Sequence, residues 1–135
     1  MKAAALIVAS IVGLYISIFF TLVYYSLIQP SSKLVPRMCR VEESACRNIL
    51  NHRNARLFGI PNSVMGVAFY TLILIVVIFD PAPSVSSPAM LASWMALLAS
   101  FYLSYSLLFT MWTLCVLCFV CHGLNLIIAL LLTMQ

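Results

Sequence analysis

Charged side chains are scarce in this sequence, and that scarcity excludes most classes of protein. Only 7% of the 135 residues are Asp, Glu, Lys or Arg, whereas soluble domains carry about 25%. Hydrophobic residues make up 64% of the chain. Because so little polar surface is available, the composition excludes a soluble enzyme or a nucleic-acid-binding domain, even at a net charge of +4. It predicts an integral membrane protein instead.

The few charges are unevenly distributed, and their positions predict the fold. Apart from Lys2 and Asp80, all of them lie between Lys33 and Arg56. The remaining segments are apolar and long enough to form spanning helices, which need about 20 residues each. We therefore predict one all-α domain, residues 1–135, built as a four-transmembrane-helix bundle with a structured extracytoplasmic loop between helices 1 and 2. The predicted spans are about 3–28, 62–79, 89–109 and 113–134, and the loop covers 29–61.

Two of these boundaries depend on specific features. The first apolar run is longer than the roughly 7–15 residues of a signal-peptide core, which favours a retained helix. Residues 89–135 contain no charge and would be about 70 Å long as one helix at about 1.5 Å per residue, so the segment must fold back once. The polar and aromatic cluster between Tyr102 and Thr113 is typical of an interfacial turn.

Five cysteines are the main chemical feature of the chain: Cys39, Cys46, Cys115, Cys118 and Cys121. The loop pair follows span one and the helix pair follows the turn after span three, so both pairs meet at one membrane face. At a spacing of three residues, Cys115 and Cys118 share one face of a helix, near enough for a disulfide. Two pairs on one face favour a thiol–disulfide relay; small apolar filler residues are the alternative.

Cys121 and a possible metal site need separate treatment. Cys121 lies about 120° round a regular helix from Cys115, off the shared stripe, which predicts a packing role. Cys115, Cys118, Cys121 and His122 offer soft metal ligands, but the divergence of Cys121 argues against them, and no metal site is predicted. A c-type haem would require His where Phe119 stands. A metal-binding or purely structural tetraspan protein remains the alternative of a different class.

Two further polar residues are candidates for a cofactor pocket. His122 follows Cys118 by four residues, on the same helical stripe, and ionisable residues inside membranes usually indicate function; a packed structural histidine is the alternative. A dithiol reoxidised within the bilayer needs a lipid-soluble electron acceptor, for which a quinone is the obvious candidate. Asn62 can donate a hydrogen bond to a quinone carbonyl, although a plain helix cap explains it equally well.

Taken together, three motifs resemble the vitamin K epoxide reductase family, including its bacterial disulfide-forming homologues. They are the pair Cys39…Cys46, the segment Phe58-Gly-Ile-Pro-Asn-Ser-Val-Met-Gly66 followed by Phe69-Tyr70, and Cys115-Val-Leu-Cys118. They extend over almost the whole chain in order. The resemblance implies a four-helix bundle around a quinone of the ubiquinone, menaquinone or vitamin K type.

The resemblance also implies a role for each matched residue. Cys118 resembles the cysteine next to the quinone, and Cys115 its partner in the active-site disulfide. Cys46 resembles the loop cysteine that passes electrons to Cys115, and Cys39 the one that meets the external partner. Asn62 is similar to the residue that hydrogen-bonds a quinone carbonyl.

The chain also departs from the family pattern. His122 stands where the animal enzymes carry a pocket tyrosine, and His52 where many relatives have serine or threonine. Many bacterial relatives continue into a thioredoxin-like domain, whereas this chain ends at Gln135, so a separate thioredoxin-like partner is expected.

The expected function is electron relay from that partner, or from substrate thiols, to a quinone in support of disulfide formation. The expected location is a bacterial inner membrane with the site facing the periplasm, since disulfides belong in oxidising compartments. The arginine-rich loop argues mildly against that orientation. Reduction of a quinone epoxide at the lumenal face of the endoplasmic reticulum membrane is the alternative of the same class.

Overall fold

Four long helices account for most of the computed structural model, which describes residues 1–25, 27, 53, 56–57, 59–80, 88–110, 112 and 115–134. In chain order they are α1 (Lys2–Tyr24), α2 (Asn62–Phe79), α3 (Pro88–Tyr105) and α4 (Val116–Thr133). Each is long and apolar enough to cross a membrane. The predicted all-α transmembrane bundle is therefore confirmed.

Two short elements complete the described part of the chain. A π-helical segment, Ser106–Thr110, continues α3. An antiparallel pair of strands, β1 (Arg56–Leu57) and β2 (Ile60–Pro61), precedes α2 and turns at Gly59, whose φ of 81° suits glycine. Apart from Arg53, the rest of the predicted loop lies outside the described residues.

The helix ends differ in places from the predicted spans. α2 has the predicted bounds of 62–79, but α1 ends at Tyr24, four residues before the predicted end at 28. The residues expected to form the turn after span three are largely helical through Thr110, and α4 begins only at Val116. Backbone groups within a bilayer must be satisfied internally, so the helix continues until the chain reaches the interface. Trp112, with a φ of 49°, lies in the actual turn.

Small residues allow the first two helices to approach closely. A Cβ added at Gly13 of α1 would overlap the ring of Tyr70 on α2. A Cβ added at Gly66 of α2 would lie 2.6 Å from the Ser17 hydroxyl oxygen on α1. Close backbone approach over glycine is a common way for transmembrane helices to pack, because lipid gives little hydrophobic drive for association.

The two ends of the bundle are distinguishable. At one end, which we call the Lys2 face, Lys2 Nζ donates to the carbonyl oxygen of Met134 at 2.8 Å. At the other, the cysteine face, Cys115 packs with residues from the second half of α1 and from the π-helical segment. There the Arg56 guanidinium lies over the Tyr24 ring, 5.5 Å from its centroid. The hairpin, the end of α1 and the start of α4 therefore share one membrane face.

Candidate functional site

A cavity of about 440 Å³ lies inside the bundle and receives residues from all four helices. We call it the bundle cavity. Its lining is mainly apolar and includes Met65 of α2 and Met95 of α3, whose side chains are also exposed on the outside of the bundle. The cavity therefore opens between α2 and α3, toward the region that lipid occupies. Its lining also contains these polar or sulfur-bearing residues: Ser17, Asn62, Ser63, Tyr70, Ser100, Ser106, Cys118, Cys121, His122 and Asn125.

Cys115 lies at the N-cap of α4, not within the helix. Its backbone is extended, with φ −117° and ψ 103°, and its Sγ accepts a hydrogen bond from the Cys118 backbone N–H at 3.4 Å. The prediction that the two cysteines share a face of a regular helix is therefore wrong. An N-cap side chain folds back over the first helical turn, so the capping bond keeps the Cys115 sulfur beside Cys118. The Cys115 side chain is buried, with 1% exposed.

The cavity-facing stripe of α4 begins at Cys118. Cys118, Cys121, His122 and Asn125 follow the i, i+3, i+4, i+7 pattern of one helical face, and all four line the bundle cavity. The sequence pattern placed Cys121 off the stripe shared by Cys115 and Cys118, because the angle was measured from Cys115 as if that residue were helical. The structure corrects that placement: Cys121 packs against the core of the cysteine face and also lines the cavity.

His122 presents an unsatisfied polar atom. Its Nδ1 is buried and has no hydrogen-bond partner within the described part of the chain. Its ring stands edge-to-face against Phe119, with 6.3 Å between the ring centroids. A buried polar atom without a partner costs about 1–3 kcal/mol, so the arrangement is suited to a ligand that supplies the missing bond.

Asn62 and Ser63 line the cavity from the first turn of α2. Pro61 is the N-cap residue of this helix, and Asn62 is its first helical residue with no capping side-chain hydrogen bond. The alternative interpretation of Asn62 as a plain helix cap is therefore wrong. Ser63 Oγ is buried and, like His122 Nδ1, has no partner among the described residues.

Sequence reasoning missed a hydrogen-bonded chain that crosses the bundle. The Tyr70 hydroxyl donates to Asn125 Oδ1 at 2.7 Å, and Asn125 Nδ2 donates to Ser100 Oγ at 2.8 Å. One signal was available: Asn125 is an amide in the otherwise apolar segment 124–132, seven residues after Cys118. Its partners lie 55 and 25 positions away in sequence, and no local pattern identifies them.

The loop cysteines Cys39 and Cys46, and His52 with them, lie outside the described residues. Among the residues that the structure does describe, no group of three or more His, Cys, Asp or Glu side chains is arranged to hold a metal ion.

A family model described as "Vitamin K epoxide reductase family" matches residues 4–133 of the chain. The search of curated proteins found no match.

Proposed function

The chain belongs to the vitamin K epoxide reductase family, and we propose that it passes electrons from a separate thioredoxin-like protein to a quinone. Family membership makes it a membrane oxidoreductase; the donor, the acceptor and the route are our proposal. In that route, Cys39 and Cys46 exchange disulfides with the partner, and Cys115 and Cys118 exchange with them. The observation that carries the proposal is the bundle cavity, which extends from the lipid-facing side to Cys118.

The cavity fits the head of a quinone in size and in chemistry. Small-molecule sites usually enclose about 300–1,000 Å³ and combine apolar walls with a few placed polar groups. The bundle cavity has about 440 Å³, and Ser63 Oγ and His122 Nδ1 lie buried at its wall without partners. Asn62 adds an amide on the same side as Ser63. Quinone carbonyl oxygens would supply acceptors for the hydroxyl of Ser63, the amide of Asn62 and the Nδ1–H group of a neutral His122 ring.

The electron balance of the proposed reaction is complete. A bound quinone takes up two electrons and two protons and leaves as hydroquinone. Cys115 and Cys118 supply both: their two S–H bonds break and one S–S bond forms between them. Cys118 is the member of the pair that lines the cavity, which makes it the sulfur nearest the acceptor.

The reverse exchange restores the dithiol. A Cys46 thiolate attacks the Cys115–Cys118 disulfide at Cys115, and the resulting mixed disulfide resolves through Cys39 into a loop disulfide that the partner reduces. The position of Cys115 at the start of α4, on the face where α1 ends, supports attack from the loop side. Because stable disulfide exchange of this kind belongs in an oxidising compartment, we propose that the cysteine face looks onto the periplasm of a bacterial inner membrane.

Thiol trapping followed by mass spectrometry tests the proposal. Protein reduced with dithiothreitol, freed of the reductant and then given ubiquinone or menaquinone should acquire a Cys115–Cys118 disulfide and release hydroquinone. Protein given no quinone is the control and should remain reduced. A dithiol that stays reduced in a quinone-replete membrane would contradict the redox proposal. Turnover of a quinone epoxide in the same assay would favour the endoplasmic reticulum alternative, and a metal retained by the cysteines would favour the metal-binding one.

A further inference from the structure

Tyr70 is one of the most deeply buried large side chains in the described bundle, with 2% of its surface exposed. Its ring lies over Gly13 of α1, and its hydroxyl donates to Asn125 of α4 at 2.7 Å. Asn125 in turn donates to Ser100 of α3 at 2.8 Å. One chain of hydrogen bonds thus joins α2, α4 and α3, while the ring to which it is attached packs on α1.

This chain forms the floor of the bundle cavity on the side of α1 and α4. Tyr70, Asn125 and Ser100 all line the cavity, and Tyr70 also belongs to the tightly packed core that fills the Lys2-face half of the bundle together with Ile73 and Ile128. Asn125 follows Cys118 by seven residues, about 10 Å along α4 at about 1.5 Å per residue. On α4 the lining therefore ends about two helical turns below the sulfur of Cys118, whereas on α3 it continues past Ser100 to Ala92.

The floor is fixed by polar contacts, not by packing alone. An amide inside a membrane is costly unless it is hydrogen-bonded, and Asn125 uses its oxygen toward Tyr70 and its nitrogen toward Ser100. Hydrogen bonds between transmembrane helices contribute about 0.6–2 kcal/mol each. Gly13 provides the surface on which the hydroxyl end of the ring rests, and Asn125 accepts the hydrogen bond from the hydroxyl, so this end of the phenol is held by α1 and α4 together.

We propose, building on the quinone chemistry above, that Tyr70 is a specificity-determining residue and Asn125 the positioning residue that holds it. The Tyr70 ring, kept across the cavity by Asn125, sets how far a quinone ring descends past Cys118. It thereby sets the enzyme's relative use of single-ring benzoquinones and fused two-ring naphthoquinones. Loss of the hydrogen bond between Tyr70 and Asn125 allows the Tyr70 ring to move and favours reduction of the larger naphthoquinone ring.

The test compares two acceptors in the full-length protein: a short-chain ubiquinone and 2-methyl-1,4-naphthoquinone, with dithiothreitol as electron donor. Asn125→Ala should raise the ratio of kcat/KM for the naphthoquinone over the benzoquinone by about tenfold, the usual effect of one small group in a substrate pocket. Tyr70→Phe keeps the ring but removes the hydroxyl that bonds to Asn125. It should raise the same kcat/KM ratio, but by less than Asn125→Ala does.

Ser93→Ala is the matched control. Ser93 is a fully buried serine on the same helix as Ser100, but its hydroxyl donates to the Met90 carbonyl oxygen at 2.8 Å, away from the floor. Its removal should leave the ratio unchanged. Binding gives a second measurement that does not need turnover. Each quinone should raise the unfolding midpoint by an amount set by its affinity. Asn125→Ala should narrow or reverse the difference between the midpoint shifts that the benzoquinone and the naphthoquinone cause.

Each result bears on the proposal in one direction. An unchanged kcat/KM ratio and unchanged binding shifts in folded Asn125→Ala and Tyr70→Phe would overturn it, since a purely structural role lowers both acceptors alike. If Asn125→Ala does not fold, Asn125→Asp, which keeps the acceptor for the Tyr70 hydroxyl but loses the donor to Ser100, takes its place beside Tyr70→Phe. If the wild-type protein reduces neither quinone, the proposed function fails, whereas the binding shifts still decide the role of the floor.

Discussion

Cys115 shows how much chemistry depends on one backbone conformation. Its extended φ and ψ remove it from the regular helix, and the same conformation lets its sulfur accept the Cys118 N–H bond. The sequence correctly identified the two cysteines as neighbours but for the wrong reason, because it placed both within a helix. The sequence also identified Asn62 as a candidate ligand residue but did not single out the adjacent Ser63.

Substitution at Cys115 separates its sulfur chemistry from its capping role. Cys115→Ala removes both and should block reoxidation of the loop pair, with a loss of about 1 kcal/mol in the free energy of unfolding from the missing cap. Cys115→Ser keeps an effective cap and should retain wild-type stability while also losing turnover. Hydroquinone formation and thermal unfolding are the two measurements. Normal turnover by either variant would exclude the proposed route.

Ser63→Ala removes a buried hydroxyl that has no partner in the described structure. We expect no loss of stability without quinone, since an unsatisfied buried polar group itself costs about 1–3 kcal/mol. Quinone affinity should fall by about 2- to 12-fold, the equivalent of one net hydrogen bond of about 0.5–1.5 kcal/mol. Quinone-dependent shifts in the unfolding midpoint measure both effects. An unchanged affinity would remove Ser63 from the ligand contacts.

At the scale of helices, the decisive features are register and close approach. One face of α4 supplies four residues to the bundle cavity, and its register is set by where the helix begins, at Val116. On α1 and α2, Gly13 and Gly66 create the depressions that receive Tyr70 and Ser17. Such pairings place the floor residue Tyr70 and cannot be read from either helix alone.

Gly13→Ala tests the α1–α2 contact. Because the added methyl group would overlap the Tyr70 ring, we expect the free energy of unfolding to fall by about 1–3 kcal/mol, the usual cost of overpacking. Gly123→Ala on α4 is the control: nothing lies within 4 Å of the added Cβ. It should be neutral or gain up to about 1 kcal/mol from helix propensity. Equal effects of the two substitutions in thermal unfolding would contradict the close packing described here.

For the whole molecule, the arrangement of the two faces determines where each half of the chemistry can occur. The hairpin, the end of α1 and Cys115 lie at the cysteine face, while Lys2 and Met134 are hydrogen-bonded at the other. Four spans bring the start of α1 and the end of α4 to the same side. Under the proposed function, thiol exchange is then confined to one compartment, and the lipid-soluble acceptor enters between α2 and α3.

Orientation can be measured with a membrane-impermeant maleimide in spheroplasts of a bacterial host, using a variant whose native cysteines are replaced by alanine. A cysteine introduced by Arg56→Cys, at the exposed hairpin, should be labelled from outside. One introduced by Asp80→Cys, at the exposed end of α2, should react only after permeabilisation. The opposite labelling pattern would contradict the proposed orientation. It would place the arginine-rich loop in the cytoplasm, as the positive-inside rule predicts.

The sequence by itself determined the membrane class, the four spans and the shared face of Cys115 with the end of span one. These properties depend on local hydrophobicity and on the parity of membrane crossings, which are both readable along the chain. Only the tertiary structure decided that Cys115 caps its helix, that Cys121 lines the cavity, and that Tyr70, Asn125 and Ser100 form one hydrogen-bonded floor. Those facts depend on which faces of separate helices meet, and packing between segments far apart in sequence leaves no periodic signal in any one of them.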